Sequence, residues 1–437
     1  MTTSILPVPL AHDAGAFSGF EPKESSNASR RRIGTDEFRY VEEVLASDFR
    51  GSAKPRMVEK LEKIFCEKFG VAYAISCNSG TSTLHSALCA GGVASGDEVI
   101  VPPLTMASTA LAVLHQGAIP VFADIDPETW TLDPNAMRRL LSPRTKAIIP
   151  VAIYGLAPDM DDIMEIAAER QLTVIEDVAQ CFLGRYRGRL AGAIGHMGSF
   201  SFQSSKHMTC GEGGMVICNR HDLAERVRRH SSLGYAGLAA GPGCSKIRKE
   251  DLLDPNYARH VALGWNYRMP ELCAAVALGQ AVRLEEFVQK RMAAAKCYLD
   301  AMAGCDWLIP QKVPEDRVHS YWAFVVRLDA ASIGVDWQTF RKKYQELGGD
   351  RVYAAWRLNY LEPFFQELQK KPQGSLAHLS GQLGERQRWD GGLCPHAEAV
   401  QPWLLQFKTN YLDLELAAQK ADALRQTIRH FEKFKRR

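Results

Sequence analysis

Ala72-Tyr-Ala-Ile-Ser76 runs directly into Cys77-Asn-Ser-Gly-Thr-Ser-Thr83, after which Leu84 and Leu88 fall on one face of a helix spanning Thr81–Ala90. The apolar run is the length of a strand, the small hydroxyl-rich residues make a turn, and the spacing of four marks the helix. The unit recurs. Apolar runs at Glu98–Pro102, Ile119–Ala123, Ala147–Val151 and Thr173–Ile175 alternate with helix candidates such as Met106–His115 and Met160–Arg170. Strands apolar along their length and separated by helices predict an α/β fold, with a mostly parallel central sheet flanked by helices on both faces. In such a sheet ligands collect at the carboxyl ends of the strands. The polar residues that follow these runs are therefore the candidate functional residues.

On the amino-terminal side, Asp36–Phe69 carries apolar residues at helical spacing (Val41, Val44, Leu45; Val58, Leu61, Phe65) and predicts two helices. Residues 1–34, ending in Arg30-Arg31-Arg32, read as a flexible arm. On the carboxyl-terminal side the alternation fades past Leu284. There Trp322–Leu328 has a strand pattern, and Leu414–Phe434 places Leu414, Ala417, Ala421, Leu424, Ile428 and Phe431 on one helix face. The expected division is a large α/β domain at 35–285 and a smaller α+β domain at 286–437, with residues 369–392 as a polar excursion.

Composition narrows the function. The chain has 437 residues with 53 Lys+Arg against 50 Asp+Glu, a net charge of +3. That balance offers no general attraction to nucleic acid or acidic membranes. Eleven cysteines are scattered without a CxxC pair or a neighbouring His cluster, which reads as reduced thiols and no metal site. Neither a signal-peptide core nor an apolar stretch of about 18 residues is visible, so the expectation is a soluble cytoplasmic protein.

Three segments carry chemistry. Asn78-Ser79-Gly80-Thr81 opens a helix after a strand, where free backbone N–H groups and small side chains can seat a phosphate; a plain N-cap is the alternative. Thr173-Val-Ile-Glu176-Asp177 sets two carboxylates at the end of a buried strand, with Gln180 three residues on. In Gly198-Ser-Phe-Ser201-Phe-Gln-Ser-Ser-Lys206-His-Met-Thr-Cys-Gly211-Glu-Gly-Gly214, one lysine stands among small and apolar residues before a glycine-rich turn. A desolvated lysine is a nucleophile toward aldehydes. Lysine, carboxylate and phosphate seat together match the needs of pyridoxal phosphate.

In this order the segments resemble the DegT/DnrJ/EryC1/StrS sugar aminotransferases, which have the aspartate-aminotransferase-like fold of type I pyridoxal-phosphate enzymes. Further landmarks are Asp124-Ile-Asp126, Tyr154-Gly155 and Gly264-Trp-Asn266-Tyr-Arg268-Met. The resemblance implies that Lys206 holds the cofactor as a Schiff base, Asp177 pairs with its ring nitrogen and Gln180 approaches its ring hydroxyl. Gly80, Thr81 and Ser201 would meet its phosphate. Asn266 would reach the phosphate of a neighbouring subunit, which implies a homodimer with shared active sites. Where the family often stacks an aromatic side chain on the ring, this chain has Met106, whose polarizable sulfur can also cover a ring face.

The expected reaction moves an amino group from glutamate or glutamine to a keto sugar, nucleotide-linked, or to a keto-cyclitol, in amino-sugar or related natural-product biosynthesis. The alternatives are a pyridoxal-phosphate lyase or dehydratase acting on a sugar, and a non-catalytic cofactor-binding regulator. Gly237–His260, His319 and Tyr321 are candidates for reading the acceptor.

Overall fold

The computed structural model describes residues 32–49, 56–241, 249–371, 374–379, 382–383 and 387–433. The expected arm lies outside them except for residues 32–34. Seven strands form the main sheet: β1 (Tyr73–Cys77), β2 (Glu98–Val101), β3 (Ile119–Phe122), β4 (Thr145–Ile148), β5 (Thr173–Asp177), β6 (Met197–Ser201) and β7 (Gly214–Cys218). Their order is β1-β7-β6-β5-β4-β2-β3. Only β7 runs against the rest, between β6 and β1.

Alternate residues of each strand serve opposite cores, as the period of two demands. Ile75, Val99 and Val101 join one buried cluster, with the helices Gly80–Ala90 and Ser108–His115. Ala74 and Ile100 join another, with the helices Met57–Phe69, Met160–Arg170 and Glu271–Val282. Both faces are thus covered, which is why these strands read as continuous apolar runs.

A second sheet is antiparallel: β8 (Leu308–Pro310), β9 (Ala323–Leu328), β10 (Tyr353–Ala354) and β11 (Leu404–Lys408), in the order β8-β9-β11-β10. The helices Leu284–Ala301 and Leu414–Glu432 pack with it around Tyr298, Phe324, Phe407 and Leu424.

The segment 369–392 does not behave as a polar excursion where it is described. Leu379, Leu383 and Trp389 are buried in the first cluster. The Gln387 side-chain amide donates to Phe122 O at 2.8 Å and accepts from Phe122 N at 2.7 Å. An edge strand needs such cover, and one side-chain amide here occupies both main-chain groups of Phe122 at the end of β3.

Candidate active site

The crevice lies at the carboxyl ends of β5 and β6. Strand alternation separates the two carboxylates that end β5. Glu176 accepts N–H bonds from Gly192, Ile194 and Gly195 at 2.6–2.8 Å and is a buried structural group. Asp177 faces the opposite way into a pocket, where it accepts from Thr109 Oγ1 at 2.8 Å and Ala179 N at 3.2 Å. Burial raises its pKa, opposed by those hydrogen bonds and by the positive charge of Lys206.

Lys206 follows β6 in a turn whose N–H bonds back to Gln203 O at 2.9 Å. Burial pushes its amine down to about 8, opposed by the attraction of Asp177 and assisted by Arg291. The ammonium lies 4.8 Å from the centre of the Trp322 ring. Beneath it, two arginines grip the main chain. Arg291 donates to Ser205 O and Lys206 O, both at 3.1 Å, and to Trp322 O at 2.6 Å. Arg32 donates to Ser204 O at 2.7 Å and to Lys206 O. The lysine therefore projects from a loop whose carbonyls at Ser204, Ser205 and Lys206 are held by guanidinium groups.

Across the pocket the helix Gly80–Ala90 begins. Ser79 is its N-cap, bonded reciprocally with Ser82 at 3.1 Å, so the plain capping reading is correct for that residue. Gly80 has a separate cause. A Cβ there would sit 2.7 Å from Ser201 Cβ, so only glycine lets the helix start approach β6 this closely. The result is a cradle of Gly80, Thr81 and Ser201 at the positive end of a helix. Gln180 stands in the wall with its side-chain oxygen fixed by Tyr154 N at 2.8 Å. Met106, 48% exposed, sits at the rim on a loop tied by Asn359 Nδ2 to Thr105 O at 2.8 Å.

The pocket, about 410 Å³, thus gathers Gly80, Thr81, Met106, Asp177, Gln180, Ser201 and Lys206. Asn266 is not among its lining. Its backbone bridges to Ser232 and it is exposed. His319 and Tyr321 are not either. His319 is buried, bonded to Gln311 Oε1 at 2.9 Å and Tyr321 N at 2.8 Å, and beside a different cavity of about 280 Å³. It is a packed core histidine. Of Gly237–His260, residues 242–248 lie outside the described residues. No group of three or more metal-ligating side chains is found among the described residues, the ten described cysteines are free, and no described helix is long and apolar enough to cross a membrane.

The family model for DegT/DnrJ/EryC1/StrS aminotransferases matches residues 31–382. The chain belongs to this family. It is 38% identical over 303 residues to GDP-perosamine synthase of Caulobacter vibrioides, covering 68% of this chain and 76% of that one. It is 36% identical to the spore coat polysaccharide biosynthesis protein SpsC of Bacillus subtilis, over 69% of this chain and 76% of the other. Among solved structures, an aminotransferase from Psychrobacter cryohalolentis superposes with a TM-score of 0.78 at 28% identity, covering 91% and 97% of the two chains. The protein is accordingly a sugar aminotransferase of the DegT/DnrJ/EryC1/StrS family, and its cofactor is pyridoxal phosphate.

The residues present fit that cofactor. A buried amine and a buried carboxylate line one pocket with a helix-start cradle in which a Cβ at position 80 would meet Ser201. Several members of this aminotransferase site had no sequence signal. Thr109 is one hydroxyl among many on an apolar helix, and Arg32, Arg291, Trp322 and Trp356 join the site only through long-range packing. A buried arginine on the otherwise amphipathic stretch Leu284–Ala301 was the one available hint.

Proposed function

We propose that this protein transfers an amino group from glutamate or glutamine to a keto sugar, nucleotide-linked, or to a keto-cyclitol. The observation that carries the reading is Lys206 and Asp177 in one pocket, the amine lowered to about 8 and the carboxylate opposite it. Pyridoxal phosphate, when bound, supplies an electron-accepting ring and carries the amino group between the two substrates. Gly80, Thr81 and Ser201 hold its phosphate, Gln180 its ring hydroxyl, and Met106 covers one face. Lys206 holds it through the amine. Asp177 keeps the ring nitrogen protonated, and Thr109 aims that carboxylate.

Once its amine is free, Lys206 takes a proton from the donor carbon and returns one to the acceptor. Burial that lowers the amine toward about 8 brings its neutral, proton-accepting form much closer to neutral pH than in a free lysine, which suits it to both steps. The names GDP-perosamine synthase and SpsC favour amine transfer in polysaccharide or amino-sugar synthesis over a lyase or a non-catalytic regulator. The functional unit is a cytoplasmic homodimer, with Asn266 reaching the partner's cofactor phosphate. Val261, Leu263 and Trp265, exposed beside Asn266, support that contact.

The test is the first half-reaction. Glutamate or glutamine added to the holoenzyme should convert the cofactor to its amine form, seen by absorbance. Lys206→Ala should abolish both this conversion and the borohydride-trapped adduct. An undiminished adduct in that variant would rule out the assigned lysine.

A further inference from the structure

Arg291 stands on the helix Leu284–Ala301, which packs on the second sheet, yet its side chain ends beneath Lys206. It is buried and donates to four oxygens: Ser205 O and Lys206 O at 3.1 Å, Trp322 O at 2.6 Å and Thr409 Oγ1 at 3.2 Å. The last two sit at strand ends, Trp322 just before β9 and Thr409 just after β11. One guanidinium thus joins the turn that carries the lysine to the second sheet. Two further bonds brace the joint. Trp322 Nε1 donates to Ser205 O at 3.0 Å, and His207 Nε2 donates to Ser320 O at 2.9 Å.

Arg32 reaches the same point from the amino-terminal side. It shares Lys206 O with Arg291 and also donates to Ser204 O at 2.7 Å. Its own carbonyl is held by Gln280 Nε2 at 2.8 Å and by Arg283 at 2.6 Å, so the clamp is itself anchored on the main body of the chain.

Hydrogen bonding explains the fork but not the charge. All four acceptors of Arg291 are uncharged oxygens, and a guanidinium keeps its proton even when buried. A buried cation held only by neutral groups is costly, which points to a use for its charge. The charges acting on the Lys206 amine are Asp177 and Glu212, which favour the ammonium, and Arg291, which opposes it. Arg32 in turn repels Arg291 and His207, so several positive groups compete for one buried region. A lysine must shed its proton before the nitrogen can attack an aldehyde, and a cation fixed beneath it favours that loss.

We propose that Arg291, seconded by Arg32, is a positioning residue for Lys206: it fixes the main chain of that lysine and, by repulsion between like charges, favours the uncharged amine. The inference rests on the reading of Lys206 as the cofactor-binding nucleophile.

Competitive acetylation across pH 6–11, read on the Lys206 peptide by mass spectrometry, gives the pH at which half of that amine is uncharged. The full chain is labelled free of cofactor and again with pyridoxamine phosphate, which leaves the lysine free, and the donor half-reaction is measured on the wild-type holoenzyme. Arg291→Gln keeps an amide donor and removes the charge. It should raise the midpoint and cut labelling of Lys206 at pH 7 by about threefold or more. Thr409→Val loosens the same joint but keeps the charge, and its midpoint should match the wild type. Arg32→Gln should shift the midpoint in the same direction as Arg291→Gln, by less. Arg32 precedes the first helix, so this variant decides the matter if Arg291→Gln does not fold. An unchanged midpoint in the folded charge variant overturns the inference, as does an equal rise in Thr409→Val, which would make loosening rather than charge the cause. With the donor half-reaction intact, either result leaves the aminotransferase reading standing. A charge-dependent midpoint in a protein that lacks the donor half-reaction does the reverse.

Discussion

The Lys206 amine is the group whose charge the pocket works against. Its pKa falls from 10.5 to about 8 because burial removes water from the ammonium, only partly offset by Asp177. The sign of the consequence follows from linkage. Between pH 8 and 10.5 the unfolded chain binds more protons than the folded one, so stability rises with pH across that window. Below pH 8 the full cost of the buried ammonium applies, on the order of 3 kcal/mol for a shift of this size. Lys206→Met should therefore stabilise the cofactor-free protein near pH 7, by somewhat less than this because Asp177 loses its partner. The gain should shrink toward zero as pH passes 10.5. Urea denaturation of both proteins across pH 7–11 measures the difference, and a gain that does not depend on pH would refute the buried-charge account. Sequence singled out Lys206 and Asp177, which the fold brings into one pocket, but it gave no sign of Thr109, Arg32 or Arg291. Their roles are hydrogen bonds to groups as far as 174 positions away in the chain, and no local pattern encodes such a distance.

At the scale of elements, the close meeting of a helix start with a strand makes the cradle proposed for the cofactor phosphate. Alternation of apolar runs and helices revealed β1 through β5 because each strand is buried on both faces. The reversal of β7 was not legible, since Gly214–Cys218 has the same apolar character whichever way it runs. Nor was the cover over β3, since Gln387 and Trp389 look polar or isolated until Phe122 is beside them. The Asn78–Thr81 turn was readable as a cap or as a phosphate seat; Ser79 is the cap, and the seat is the role proposed for Gly80 and Thr81. Gly80→Ala separates them. The added methyl meets Ser201 Cβ at 2.7 Å, so the helix start must move off β6, at about 1–3 kcal/mol. Cofactor affinity should fall by about tenfold or more while helix content is unchanged, read by equilibrium dialysis and circular dichroism. Unaltered affinity would mean that the cradle does not hold the phosphate.

At the scale of the whole molecule, Asn266 is exposed and does not line the pocket of its own chain, yet the segment around it is apolar. Val261 at 54%, Leu263 at 86% and Trp265 at 47% exposure form a run that a solitary chain would be expected to bury. The proposed twofold dimer would account for both facts, because an isologous contact would carry each Asn266 into the other subunit's site. The arrangement has a consequence that a monomer cannot imitate. Lys206→Ala and Asn266→Ala should each form an inactive or nearly inactive homodimer. In a mixed dimer one site collects both lesions, and the other combines the intact Lys206 of one chain with the intact Asn266 of its partner. Equal mixing with free exchange gives half mixed dimers, each with one intact site of two, and hence about one quarter of wild-type activity. Unfolding and refolding the two variants together, then assaying amine transfer, measures it. Activity no higher than the sum of the separate variants would show that each chain completes its own site, and Asn266 would then revert to a loop residue.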